Sequence, residues 1–330
     1  MGLEMAMNLF SKTAKAQPSS SFVVCDPNSA SPKSRLDVVD SPLEVTRHAD
    51  TIFTVLPSSP HVKKVYLGDA GVLQALSSRL DGPRFFVDST TLDVQVARRV
   101  AEQVTATGGQ IVDAPVSGGV VGARAGTLSF MVGGPSASFD IAKPYLELMG
   151  QRIIHCGGSG TGLIAKLCNN HVLGINQIAI AEGMLLGTSL GLTPDLLASI
   201  INSSTGRSWP SEVNNPVPGA LKDKSPPCER GYAGGFASKL MLKDMLLASD
   251  AARPVAVPLP IGARAMEVYT QMIAADEEPR RDRAAHPDAP KGGPPGKSTT
   301  STGTMPRGEK DFSVVYDYLR EQAGEPVGSR

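Results

Sequence analysis

The residue of this sequence with most to offer chemically is a lysine inside an apolar run. Lys166 lies in Leu163-Ile164-Ala165-Lys166-Leu167-Cys168-Asn169-Asn170, directly after the turn Gly157-Gly158-Ser159-Gly160-Thr161-Gly162. A charged side chain among apolar neighbours costs folding free energy unless it is paired, used, or long enough to snorkel to water. Held beside a carbonyl, its ammonium can polarise the oxygen or exchange a proton with it. Asn170 follows one helical repeat later and shares the same face. A second run, Asp113-Ala114-Pro115-Val116-Ser117-Gly118-Gly119, follows a β-branched stretch. Ser117 offers a hydroxyl, and Gly118 and Gly119 let backbone amides approach a small anion such as a carboxylate. The same glycines would also serve a purely structural loop. Lys239, Lys243 and Asp244 form a weaker cluster that by spacing alone could be a solvated helix face.

Other residues suit a dinucleotide. The opening Met1-Gly2-Leu3-Glu4-Met5-Ala6-Met7-Asn8-Leu9 reads as the end of a glycine turn and the helix after it. There, free amides and the helix dipole would meet a pyrophosphate; the strand and first two glycines of a G-x-G-x-x-G motif do not precede it. Asp26 ends a strand-like run. It can accept hydrogen bonds from both ribose hydroxyls and would repel a 2′-phosphate, favouring NAD over NADP. A turn aspartate before Pro27 is the plainer alternative. His61 follows the turn Leu56-Pro57-Ser58-Ser59 and could approach the cofactor, or simply face solvent. His61, His155 and His171 have no carboxylate or thiol at metal-ligand spacing, so no metal is expected.

These residues need elements to place them. β-branched or aromatic runs recur at Ser21–Cys25, Thr51–Leu56, Arg84–Val87, Gln110–Val112, Leu128–Val132 and Arg152–His155. Helical periodicity lies between them, as with Val96, Val100 and Val104. Strands alternating with helices imply βαβ units and a mainly parallel sheet, with ligands at the carboxyl ends of its strands. After Gly162 the pattern turns helical: one long apolar helix over Leu163–Leu190, then Pro194–Ile201, Ser238–Ala252 and Ile261–Ala274. A first domain over 1–160 and a second over 161–330 are expected. Ser29–Asp40 lacks the apolar periodicity of a crossover helix. Glu277–Gly308 is rich in Pro, Gly, Ser, Thr and charge and reads as a disordered insertion, after which Asp311–Leu319 should pack back.

Composition narrows the classes further. Over 330 residues, 32 Lys and Arg balance 32 Asp and Glu, leaving no global field to attract nucleic acid or acidic lipid. Four cysteines without a CxxC make neither a disulfide framework nor a zinc cage. No apolar run reaches the ~18 residues of a membrane span. No transit peptide is readable at the start.

Taken together, these motifs resemble the β-hydroxyacid dehydrogenases, over Met1–Leu319 apart from the Glu277–Gly308 block. Asp113–Gly119 is similar to that family's substrate signature and Gly160–Asn170 to the start of its catalytic helix. Gly206-Arg207-Ser208-Trp209, Asn215-Pro216-Val217-Pro218-Gly219, Gly234-Gly235-Phe236 and Asp311-Phe312-Ser313 point to the hydroxyisobutyrate branch. The resemblance implies an incomplete Rossmann-type doubly wound sheet followed by an all-α domain. It implies Lys166 as acid/base, with Ser117, Gly118, Gly119 and Asn170 holding the substrate. NAD would be lined by Gly2, Asp26, Leu56, Pro57, His61 and Thr91, with Lys243 reaching it from the second domain; at His61 the family often carries Asn. The reaction implied is oxidation of 3-hydroxyisobutyrate to methylmalonate semialdehyde in valine breakdown, by a mitochondrial homodimer or homotetramer. An opening strand and glycine loop, and so a start upstream of Met1, are also implied. Two other readings stay open: an NADPH-dependent glyoxylate or succinic semialdehyde reductase of the same superfamily, and an inert truncated product.

Overall fold

Phe85-Phe86-Val87-Asp88 shows no polar alternation, and all four side chains are buried. That is the mark of a strand covered on both faces. In the computed structural model, which describes residues 1–26, 37–78, 81–276 and 305–324, this strand lies inside a doubly wound sheet. The chain opens with α1 (Gly2–Ala16), β1 (Val23–Val24), β2 (Asp37–Val38), α2 (Pro42–His48) and β3 (Thr51–Thr54). It continues with α3 (Ser59–Leu67), α4 (Val72–Leu76), β4 (Phe85–Asp88), α5 (Val94–Ala106) and β5 (Gln110–Asp113). Next come β6 (Val116–Ser117), α6 (Gly119–Ala125), β7 (Leu128–Gly133), α7 (Ser136–Glu147) and β8 (Gly150–Gly157). The remainder is helical: α8 (Thr161–Ser189), α9 (Pro194–Ser203), α10 (Trp209–Glu212), α11 (Ser238–Ala252), α12 (Pro260–Ala274) and α13 (Val315–Gln322).

The main sheet runs β3-β4-β5-β7-β6, with β8 also paired to β7. β3, β4 and β5 are parallel and in register, so that Thr54, Asp88 and Asp113 stand in one row at their carboxyl ends. The sheet is not parallel throughout: β7 runs antiparallel to β5 and β6, because the chain turns back through α6 before β7. β1 and β2 pair in a separate parallel ribbon, and among the described residues no strand joins it to the main sheet. Alternation sorts the strand side chains between two faces. Phe85 and Val87 pack with Met5 of α1 and Ala142 of α7, whereas Ile52 and Phe86 pack with Val62 and Tyr66 of α3 and the valines of α5.

Most expected strands and helices occupy their expected places. β2 and β6 escaped because, unlike β1, neither lies in a longer β-branched or aromatic run. Of Ser29–Asp40, residues 29–36 lie outside the described residues, and Asp37–Val38 form β2. Of Glu277–Gly308, residues 277–304 lie outside them too. Its last residue is packed, since the Gly308 carbonyl accepts from the amide of Lys239. The described residues divide into two compact units, Met1–Asn170 with Leu247–Pro258, and His171–Leu246 with Leu259–Arg330. The division thus falls inside α8 rather than at the glycine turn before it. The first turns of that helix belong to the sheet unit because Leu163 and Leu167 fill its core.

The second unit has its own apolar core, including Met184, Met241, Met245, Tyr269 and Phe312. Asp311 organises it. Its buried carboxylate accepts from Asn214 Nδ2 (2.9 Å), Phe236 N (2.7 Å) and Ser313 N (3.0 Å). Gly235 is held at φ +69°, where a Cβ would lie 2.1 Å from that carboxylate. Ser208 caps α10 through a reciprocal bond with Ser211, and Asn215 Oδ1 accepts from Val217 N. The motifs that carry the branch resemblance therefore hold this unit's loops together.

Candidate active site

The carboxyl ends of β3, β4 and β5 are tied to one another by side chains. Thr54 donates from Oγ1 to Asp88 Oδ1 (2.9 Å), and the Thr90 amide donates to the same oxygen (3.0 Å). Thr90 Oγ1 in turn accepts from the Leu56 amide at 2.9 Å. Tyr66 Oη lies 3.0 Å from Thr54 Oγ1. The turn Leu56-Pro57 after β3 and the turn Ser89–Thr91 after β4 are thereby joined through one buried network. Burial raises the Asp88 carboxyl to about 6, opposed by its bonds from Thr90 and Thr54.

Asp113, next in the row, faces a different task. Its Oδ1 accepts from the Gly160 amide (2.6 Å) and its Oδ2 from the Leu163 amide (3.0 Å), so it caps the start of α8. Burial pushes this carboxyl up, and the amides of Gly160 and Leu163 pull it back. Lys166 and Asn170 follow on the same helix and are both buried, 7% and 2% exposed. A lysine this enclosed is not a snorkelling surface residue. Asn169 Nδ2 donates to Asn170 Oδ1 at 3.1 Å.

Ser117 closes β6, where it is paired with Ser129 of β7. Gly118 sits at φ +128° and Gly119 at φ +62°. A Cβ on Gly118 would meet Leu128 at 3.1 Å, while the space beside Gly119 is open. α6, which starts at Gly119, is pinned to α1. Asn8 Nδ2 donates to the Ala123 carbonyl (2.8 Å), and Arg124 donates twice to Glu4 Oε1 (2.8 and 3.0 Å). Gly2 begins α1 against β3's exit, since a Cβ there would lie 3.5 Å from Val55 Cβ. His61 is exposed on α3 with its Nδ1 2.7 Å from Ser58 Oγ. Asp26 is exposed just beyond β1. The first unit thus carries every sequence-derived site residue except Lys243, which lies on α11 in the second unit and pairs with Asp244 (3.1 Å).

The fit of a dinucleotide can be judged from the sheet. Val55 and Ser89 continue the rows of Phe53 and Val87, which face α1. Ser89 Oγ is buried there without a hydrogen-bond partner. A buried unsatisfied hydroxyl costs about 1–3 kcal/mol, a cost that a bound polar group can relieve. Glycine at the start of α1, polar turns at the ends of two parallel strands and an orphaned hydroxyl on the same face suit a nucleotide cofactor. Sequence reasoning missed Thr54, Asp88 and Thr90, and gave Asp113 no task of its own. The available signal was an acidic residue closing an otherwise apolar strand, at β4 and again at β5.

Residues 1–158 match the family described as the NAD binding domain of 6-phosphogluconate dehydrogenase. Residues 160–286 match the one described as the NAD-binding domain of NADP-dependent 3-hydroxyisobutyrate dehydrogenase. The chain is 43% identical over 284 residues to a probable mitochondrial 3-hydroxyisobutyrate dehydrogenase of Dictyostelium discoideum, covering 86% of this chain and 77% of that one. It is 40% identical over 285 residues to the mitochondrial 3-hydroxyisobutyrate dehydrogenase of Mus musculus, covering 86% and 74%. The solved structure of Mycobacterium tuberculosis 3-hydroxyisobutyrate dehydrogenase with L-serine aligns at a TM-score of 0.79 and 34% identity, covering 97% of this chain and 96% of that one.

Fold and site therefore define a class, the NAD-dependent oxidoreductases built from a Rossmann-type unit and a helical unit. Within that class, the chain belongs to the 3-hydroxyisobutyrate dehydrogenase family.

Proposed function

We propose that this protein oxidises 3-hydroxyisobutyrate to methylmalonate semialdehyde with NAD, a step of valine breakdown. The observation that carries the reading is a buried Lys166 on a helix whose first turn is fixed to the strand entering Ser117-Gly118-Gly119. NAD held there would supply the acceptor for the hydride lost from the hydroxyl-bearing carbon. Lys166 accepts the hydroxyl proton as that carbon is oxidised and returns it in the reverse direction. Ser117 and the amides of Gly118 and Gly119 hold the substrate carboxylate, and Asn170 orients it from the helix. Leu56, Pro57, His61 and Thr91 line the cofactor, with the start of α1 at Gly2 meeting its pyrophosphate. Asp26 takes the adenosine ribose hydroxyls, which favours NAD over NADP.

Assembly and compartment are read more finely here as well. The protein forms a homo-oligomer, supported by exposed Leu186 and Leu190 on and just after α8 and exposed Leu196 and Ile200 on α9. It acts in mitochondria, as the names of its Dictyostelium and mouse relatives state of those proteins. Steady-state turnover of 3-hydroxyisobutyrate with NAD, compared with 4-hydroxybutyrate and NADP, tests the function. A preference for 4-hydroxybutyrate, or for NADP, would refute it.

A further inference from the structure

We propose that Asp113 is a positioning residue for Lys166: its carboxylate fixes the first turn of α8 and so sets where the lysine reaches. The inference rests on Lys166 being the proton-transfer group.

The first amides of a helix have no intrahelical acceptor. At the start of α8, Gly160 just before the helix and Leu163 in its first turn direct their amides to the two separate oxygens of Asp113, which also places a carboxylate at the positive end of the helix dipole. This side chain ends β5, and the chain leaving it runs directly into Ala114–Gly119. The substrate run and the catalytic helix are therefore joined at one residue. The joint has no slack. A Cβ on Gly133 would come within 2.6 Å of both Asp113 oxygens, and one on Gly162 would lie 2.2 Å from the Met131 carbonyl and 2.8 Å from Asp113 Oδ2. β5, β7 and α8 thus meet at backbone distance, which only glycine allows.

A second tether acts on the same turn from the other side. Arg98 Nε of α5 donates to the Ser159 carbonyl at 3.2 Å. Gly160 sits at φ +81° with the Arg98 side chain where a Cβ would be. Buried Leu163 and Leu167 fix the rotation of α8 on either side of Lys166. Asp113 and Arg98 fix where the helix starts. A helix is stiff over one turn, so a displaced start displaces the lysine, and misplacement by about 1 Å can cost on the order of a hundredfold in rate.

The division of oxygens makes the test sharp. An asparagine at 113 keeps one acceptor and sets an amide nitrogen against the second backbone donor. Asp113→Asn should lower kcat about 30- to 100-fold while NADH affinity, read by fluorescence titration, stays within about twofold. The cofactor-lining turns hang on Asp88, not on Asp113. Arg98→Ala should lower kcat about three- to tenfold with the same unchanged affinity, and it decides the matter if the first variant does not fold. Retained kcat in whichever of these variants folds, or equal losses of kcat and NADH affinity, would overturn the positioning role. Activity surviving in Lys166→Ala would instead remove the reading beneath it. A dead Lys166→Ala beside an unimpaired Asp113→Asn would sink this inference alone.

Discussion

Asp88 and Asp113 stand side by side on neighbouring strands, yet their carboxylates are used differently. At Asp88 the Thr54 hydroxyl and the Thr90 amide both donate to Oδ1, so an asparagine can keep these two bonds. The charge itself is a burden, since burial raises this carboxyl from 3.8 to about 6. An acid that titrates higher in the folded than in the unfolded chain binds more protons when folded. Its contribution to stability is greatest below the unfolded value and declines as pH rises through about 6. Asp88→Asn should therefore gain stability over the parent between pH 4 and 6.5, by an increment of roughly 1–3 kcal/mol. Urea unfolding at several pH values measures it; a difference independent of pH would contradict the assignment. Lys166→Ala should reduce turnover by about a hundredfold or more while leaving NADH affinity intact, and a rate near a tenth of the parent's would argue against an acid/base role. Asp26→Ala should narrow the preference for NAD over NADP, measured as the ratio of kcat/KM values; an unchanged ratio would reject its ribose contact.

Among the elements, α8 serves both units. Its first turns carry the lysine on the sheet unit, and the rest of it runs through the core of the second. The long apolar run Leu163–Leu190, with few helix breakers, predicted its extent to within two residues at each end. No such pattern marks β6 or β2, whose pairing depends on partners distant in sequence. Within the second unit the loops depend on Asp311, where three donors converge on one buried carboxylate. Asp311→Ala would strand them, at about 1–3 kcal/mol for each buried group left unsatisfied. A loss of roughly 3–5 kcal/mol in chemical unfolding is expected. A loss below about 1 kcal/mol would mean that the Gly234-Gly235-Phe236 loop is held some other way.

For the whole molecule, equal numbers of acidic and basic residues leave no net charge, so the proposed self-association would rest on apolar surface. Leu186 on α8 is 64% exposed and Leu190, just after the helix, 78%, and Leu196 and Ile200 are exposed on α9. α9 packs tightly on α8, since a Cβ on Gly187 would lie 2.4 Å from Leu197 Cδ2. In the homo-oligomer proposed above, these exposed apolar side chains are the ones assigned to the interface. Leu186→Glu with Leu190→Glu should shift the mass measured by light scattering toward the monomer, with the helical content of the protein preserved. A parent protein already monomeric at micromolar concentration would refute the assembly.

Alternation of apolar runs, glycine turns and one anomalous lysine determined the fold class and the candidate chemistry from sequence alone, because periodicity and residue type are local properties. Which oxygen of which aspartate receives which amide was not legible there. Asp113 and Gly160 are separated by β6, α6, β7, α7 and β8, and only the closure of the sheet brings them within 2.6 Å. The same holds for Thr54 and Asp88, and for Asn214 and Asp311. Side-chain networks depend on distance in space, and that distance is created by burying the apolar runs the sequence does display.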